Sequence, residues 1–169
     1  MTEKVNLPPV RVLALAAILS WVPVVVGFAM TPKPWWINYP GIVFHLSLFF
    51  LVPRLPAPSW ARAAGYGWLI IDTTVGALPL NGVPDAIAQP MRLGGHIFAG
   101  IWIAVSSLSG STPMMVTGLI SGIWLFVFTF VSPFYPMSAL GPASLVVLVW
   151  LGILAWQNGS TRGRLATSG

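Results

Sequence analysis

The chain has 169 residues, 56% of them apolar and 7% charged, with a net charge of +5, a mean hydropathy of +0.84 and no cysteine. Soluble domains carry about 25% charged residues, so a water-facing exterior is excluded for most of this chain. The missing cysteines exclude disulfides, thiol redox chemistry, iron–sulfur clusters and thiolate metal sites, and the scattered basic residues exclude a nucleic-acid surface.

Lipid is therefore the expected surroundings, and the bilayer the first expected partner. Inside lipid only helices and closed barrels satisfy the backbone. Barrel strands alternate in polarity, whereas the apolar runs here are long and continuous. The composition predicts an all-α integral membrane protein.

The first predicted span is 12–30, longer than the roughly 7–15 residues of a signal h-region, and it contains Pro23. A loop at 31–34 leads to Trp35, Trp36 and Tyr39, an interfacial aromatic group, and to a second span at 37–52. The proline-rich connector 53–58 stops it. The third span covers 63–80, and Asn81-Gly82-Val83-Pro84 reads as a turn. The segment 84–92 reads as the most polar loop, holding Asp85, Gln89 and Arg92. The fourth span covers 91–108, the fifth 114–131 and the sixth 143–156. The expected architecture is one domain, residues 1–156, a compact bundle of six transmembrane helices arranged as three hairpins, followed by a polar, unstructured tail at 157–169.

Charge orients this arrangement. Six spans put Lys4, Arg11, Arg54, Arg62, Arg162 and Arg164 on one side and Lys33 and Arg92 on the other. That is the positive-inside pattern, and it predicts a bacterial-type inner membrane with both termini cytoplasmic. Five spans would leave four basic residues on each side.

Away from the span ends, where Arg92 lies, three ionisable groups fall inside the spans: His45, Asp72 and His96. An acid at mid-span costs about 2.5–3.5 kcal/mol on insertion scales and faces the protein interior. At about 1.5 Å per residue, His45 and Asp72 lie roughly 12 Å, and His96 roughly 8 Å, below the outer surface. All three fit one layer. Gly65, Trp68, Asp72 and Gly76 share a helical face, and small residues let helices approach closely. Gly118 and Gly122 form a similar close-contact pair in the fifth span.

Three readings of the layer follow. It is a structural polar tie, with Asp72 protonated or paired with a histidine, Thr73, Thr74 or Arg92. It is a proton-loading site with a histidine relay. Or His45 and His96 ligate a metal or haem. Arg92 and Asn81, above the layer, are further binding candidates, Arg92 as a site for an anion or as an interfacial anchor. No phosphate loop, nucleophile elbow or zinc-protease motif occurs, so nothing in the sequence marks an enzyme. The small size and short loops favour an accessory, assembly or interaction protein working with other membrane proteins or as a homo-oligomer. The rival reading is a proton-linked carrier, or a protein binding a small molecule or lipid, centred on Asp72, His45 and His96.

Overall fold

The computed structural model describes residues 8–28, 30 and 34–166. Lys4, Lys33 and the side chains of Arg162 and Arg164, counted in the charge asymmetry above, lie outside the described residues. Six α-helices and no strand are present among the described residues: α1 (Val10–Phe28), α2 (Asn38–Phe49), α3 (Ser59–Ala77), α4 (Asp85–Ser107), α5 (Thr112–Val131) and α6 (Gly141–Ala166). Turns of 3-10 helix extend α2 at both ends (Trp35–Ile37 and Val52–Arg54) and follow α3 (Pro79–Asn81).

Two boundaries differ from the sequence reading. The polar segment 84–92 is not a loop: Pro84 is extended, and α4 begins at Asp85. An acid in the first turn suits the positive end of the helix dipole, so polarity here marks one face of a helix. The last helix does not stop at Trp156, where apolar character ends, but continues to Ala166.

Four stretches, Val10–Gly27, Trp35–Arg54, Thr112–Phe134 and Met137–Asn158, are long and apolar enough to cross a membrane. The segments α3 and α4 are not among them, since they carry Arg62, Asp72, Asp85, Arg92 and His96. Large apolar side chains cover much of the outside, Leu19, Ile120, Ile123, Phe130 and Val149 among them. Scattered exposure of this kind is normal in water, but here it runs along whole helices.

Side-chain pairs fix the directions. Gly27 meets Ile37, Gly76 meets Ile42, and Gly65 meets Trp102 while Gly95 meets Ile71. Thr129 bonds the Leu93 carbonyl (2.8 Å), and Gly118 meets Ser107. With Trp21 on Phe44 and Phe49 on Tyr66, and with Trp124 on Ala139 and Ser111 on Gln157 toward the two ends of α5 and α6, one partner's number rises as the other's falls at every step, so consecutive helices run antiparallel. Each packs on its neighbours in the chain, and α6 closes the ring on α1. Trp68, Trp102 and Trp150 meet in turn through the middle, with ring centroids 5.9 Å apart at each step, the first pair tilted and the second edge to face. Trp150 Nε1 donates to the buried Ser107 hydroxyl at 2.8 Å.

At the α4–α5 contact backbone meets backbone. Gly100 and Gly122 stand face to face, and a Cβ on either would strike the other's carbonyl oxygen. Neither neighbour can retreat, because the obstructing atom is backbone. Gly122→Ala should therefore cost about 1–3 kcal/mol, read as a lowered thermal midpoint in detergent. Gly94→Ala meets nothing within 4 Å and should instead stabilise by about 0.5–1 kcal/mol, through lower chain entropy in the unfolded state.

Candidate functional site

The site is built on one face of α3. Gly65, Trp68, Asp72 and Gly76, three or four residues apart, are all buried. Trp68, one turn before Asp72, donates its Nε1 hydrogen to Asp72 Oδ2 at 2.5 Å. From α2, His45 Nε2 lies 3.2 Å from the same oxygen. From α4, His96 Nε2 lies 4.0 Å from it. His45, Asp72 and His96, from three helices, therefore meet at a single carboxylate oxygen. Asp72 is 3% exposed and His45 7%, which rules out direct solvation as the compensating interaction.

The hydrogen bonds count the protons. His45 Nδ1 lies 2.7 Å from the Gly41 carbonyl. A carbonyl only accepts, so Nδ1 carries a hydrogen. The contact between His45 Nε2 and Asp72 Oδ2 then needs one further proton. It is either an imidazolium against a carboxylate or an imidazole against a carboxylic acid, and both forms of the pair are neutral overall. His45 is also held from the sides by the edges and faces of Phe44, Trp68 and Trp21, at centroid distances of 5.0, 5.6 and 6.4 Å. It can shift its proton without moving its ring.

His96 is arranged differently. Its 4.0 Å approach is beyond a hydrogen bond, and its Nδ1 is buried without a partner. The second carboxylate oxygen, Asp72 Oδ1, is likewise buried and unpartnered. Gly95 makes room for it, since a Cβ there would lie 3.1 Å from Oδ1. Such orphaned polar atoms each cost about 1–3 kcal/mol. The cluster thus has one satisfied arm, through Trp68 and His45, and one open arm, toward His96.

A cavity of about 510 Å³ opens beyond the open arm, at the end of the bundle formed by the α1–α2 and α3–α4 connections. Its lining includes Trp35, Asn38, Tyr39, Asp85, Gln89 and Arg92. Asp85, Gln89, Arg92 and His96 follow each other at spacings of four, three and four along one face of α4. The charge of Arg92 acts at both Asp72 and His96. The face thus leads from the cavity mouth to the carboxylate.

Not every sequence candidate joins the site. Asn81 donates to the Ala77 carbonyl at 2.8 Å and is exposed; it closes the end of α3 and does not line the cavity. The Thr73 hydroxyl is buried but unpartnered, and Thr74 points outward. A shared metal or haem iron does not fit. Both histidine Nε2 atoms face the same carboxylate oxygen, which stands where the iron would sit. Among the described residues no group of three or more His, Cys, Asp or Glu side chains could hold a metal ion.

The sequence reading missed two contributors. Trp68 was legible as a packing residue, but its role as a donor follows from the Trp-x-x-x-Asp spacing, which stacks the indole over the carboxylate. Asn38 was hidden by the assumption that its segment was only an interface. Compared with family models, with curated proteins and with solved structures, the chain matches none.

The chain has two histidines, and both contact Asp72, so isotope labelling of histidine reports on this site alone. Long-range ¹H–¹⁵N spectra should show His45 protonated at Nδ1. A signal from His45 in the Nε2–H neutral form would contradict the bond to Gly41. His45→Leu should cost about 3–5 kcal/mol, as expected on breaking a buried pair, and His96→Leu markedly less.

Proposed function

We propose that this chain is a proton-linked membrane protein, a carrier or binding protein for a small molecule or lipid, in which the His45–Asp72–His96 cluster holds and releases the proton. The observation that carries this reading is the convergence of the chain's two histidines, from two different helices, on one buried carboxylate with an unpartnered second oxygen. A purely structural tie needs no second histidine beyond bonding distance. An intramembrane ionisable cluster marks a functional site by default, and histidine exchanges protons near neutral pH. Short loops alone favour an accessory role, but they do not account for this convergence.

In the proposed topology all six helices cross the membrane and both termini face the cytoplasm. The alternating helix directions support it. So do Arg11, Arg54 and Arg62, which lie at the end of the bundle opposite Arg92. The cavity then faces outward, and the cluster sits one helical turn or more beneath it. A proton entering from the cavity meets His96 first, then Asp72, then His45.

Two measurements test this. The chain lacks cysteine, so single cysteines report cleanly on topology. Ala86→Cys should react with a membrane-impermeant maleimide on intact cells, and Ser109→Cys only after permeabilisation. Both sites reacting from the same side would overturn the topology. Proton uptake by the purified protein between about pH 8 and pH 5, a window around the ordinary histidine value, should fall in Asp72→Asn. Asparagine keeps an acceptor for Trp68 but cannot hold a proton, so the variant should stay folded. A folded Asp72→Asn protein with unchanged uptake would sink the proton-linked reading.

A further inference from the structure

The cavity at the mouth of the bundle carries both signs of charge. Asp85 and Arg92 line it from one face of α4, seven residues and about 10 Å of helix rise apart. They are not paired with each other or with any other described residue, since the ion pairs among the described residues are those of Asp72 with His45 and His96. Gln89 sits between them on the same face, with its side-chain oxygen buried and unpartnered. Asn38 supplies a second amide from across the cavity. Trp35 and Tyr39, with ring centroids 6.0 Å apart, stand on its rim and are 75% and 50% exposed.

Each group has a complementary chemistry. A guanidinium takes phosphate or carboxylate oxygens through a fork of donors. A carboxylate beside exposed aromatic rings takes an ammonium, through charge and cation–π attraction. Amides complete the polar contacts of either. The volume, about 510 Å³, falls within the roughly 300–1,000 Å³ of small-molecule sites. A purely anionic ligand would leave Asp85 opposed by like charge. A purely cationic one would do the same at Arg92.

We propose that this cavity binds a zwitterion, an ammonium joined over a few bonds to a phosphate or carboxylate. The anionic end lies at Arg92 and the ammonium end at Asp85, Trp35 and Tyr39. Phosphoethanolamine is the simplest such group, and it occurs both as a lipid headgroup and as a free solute. The proposal rests on the proton-linked reading and adds its ligand.

The two parts of the site are coupled by charge. His96 is one turn below Arg92. A proton added to His96 makes the floor of the cavity more positive and favours the anionic end of the ligand. Reciprocally, the ligand favours that proton. The charged or titratable groups around His96 are His45 from α2, Asp72 from α3 and Arg92 from α4 itself. Between Thr112 and Val131, α5 has none, and α1 has only Arg11, at the opposite end. Binding should therefore tighten on acidification.

The test uses the full-length protein in detergent, with binding of short-chain phosphatidylethanolamine followed by native mass spectrometry and O-phosphoethanolamine as soluble competitor. Wild type should bind the lipid more tightly than short-chain phosphatidylglycerol. Arg92→Gln and Asp85→Asn should each weaken binding tenfold or more, with thermal midpoints near wild type. Competition by the soluble compound assigns the site to the headgroup chemistry itself, and lipid binding without competition assigns it to a membrane lipid. Soluble binding alone assigns it to a free solute. Equal binding of phosphatidylglycerol, no effect of Asp85→Asn, or no binding of either probe would overturn the zwitterion site. The pH dependence of binding separates the two readings. Wild-type binding that ignores pH, with the Asp85 and Arg92 variants still weakened, removes the proton link and leaves the cavity assignment standing.

Discussion

Asp72 constrains everything around it. A carboxyl group in the middle of an apolar bundle has no water to fall back on, so its partners must come from neighbouring helices. Trp68 supplies one from its own helix, and His45 supplies another from α2. Serving a single oxygen requires α2 to pack against α3 in one register. Ile42 against Gly76 and Phe49 against Tyr66 then follow along the same line. The third approach, from His96, brings α4 to the other side, where Gly95 removes the side chain that would block it. The polar centre thus sets the positions of three helices, and the apolar ones complete the ring around it.

The rest of the ring is held by shape. The α4–α5 contact rests on Gly100 and Gly122, whose missing side chains let two backbones touch. In the proposed membrane setting there is little hydrophobic force between helices, so close packing of this kind would carry the association. The tryptophan row plays the opposite part. Trp68, Trp102 and Trp150 fill the volume that a six-membered ring of helices leaves at its centre. Small residues lie where backbones touch, and Gly65 makes room for the ring of Trp102.

Much of this was legible in the sequence, for reasons that can be stated. Rise per residue is constant in a helix, so counting from the span ends placed His45, Asp72 and His96 at similar depth. Helical phase put Gly65, Trp68, Asp72 and Gly76 on one face, and that face is buried. Part of what was lost was lost through the assumption that polarity means loop. Asp85, Gln89 and Arg92 are polar because they line a cavity, and they do so from a helix. The same assumption ended the last helix at Trp156, where only its apolar character ends. Asn81 illustrates the converse. It lies close in sequence to the site, but its amide is spent on the Ala77 carbonyl, a local closure that spacing alone does not reveal.

The closing contact of the ring joins the first helix to the last. Leu13, Ala14 and Ala17 of α1 share the core with Val147, Trp150 and Leu151 of α6. During synthesis α1 precedes α6 by more than a hundred residues, and its flank stays open until they have been added. Contacts so distant along the chain form late and slowly. The seam between α1 and α6 is therefore the interface of the ring that closes last.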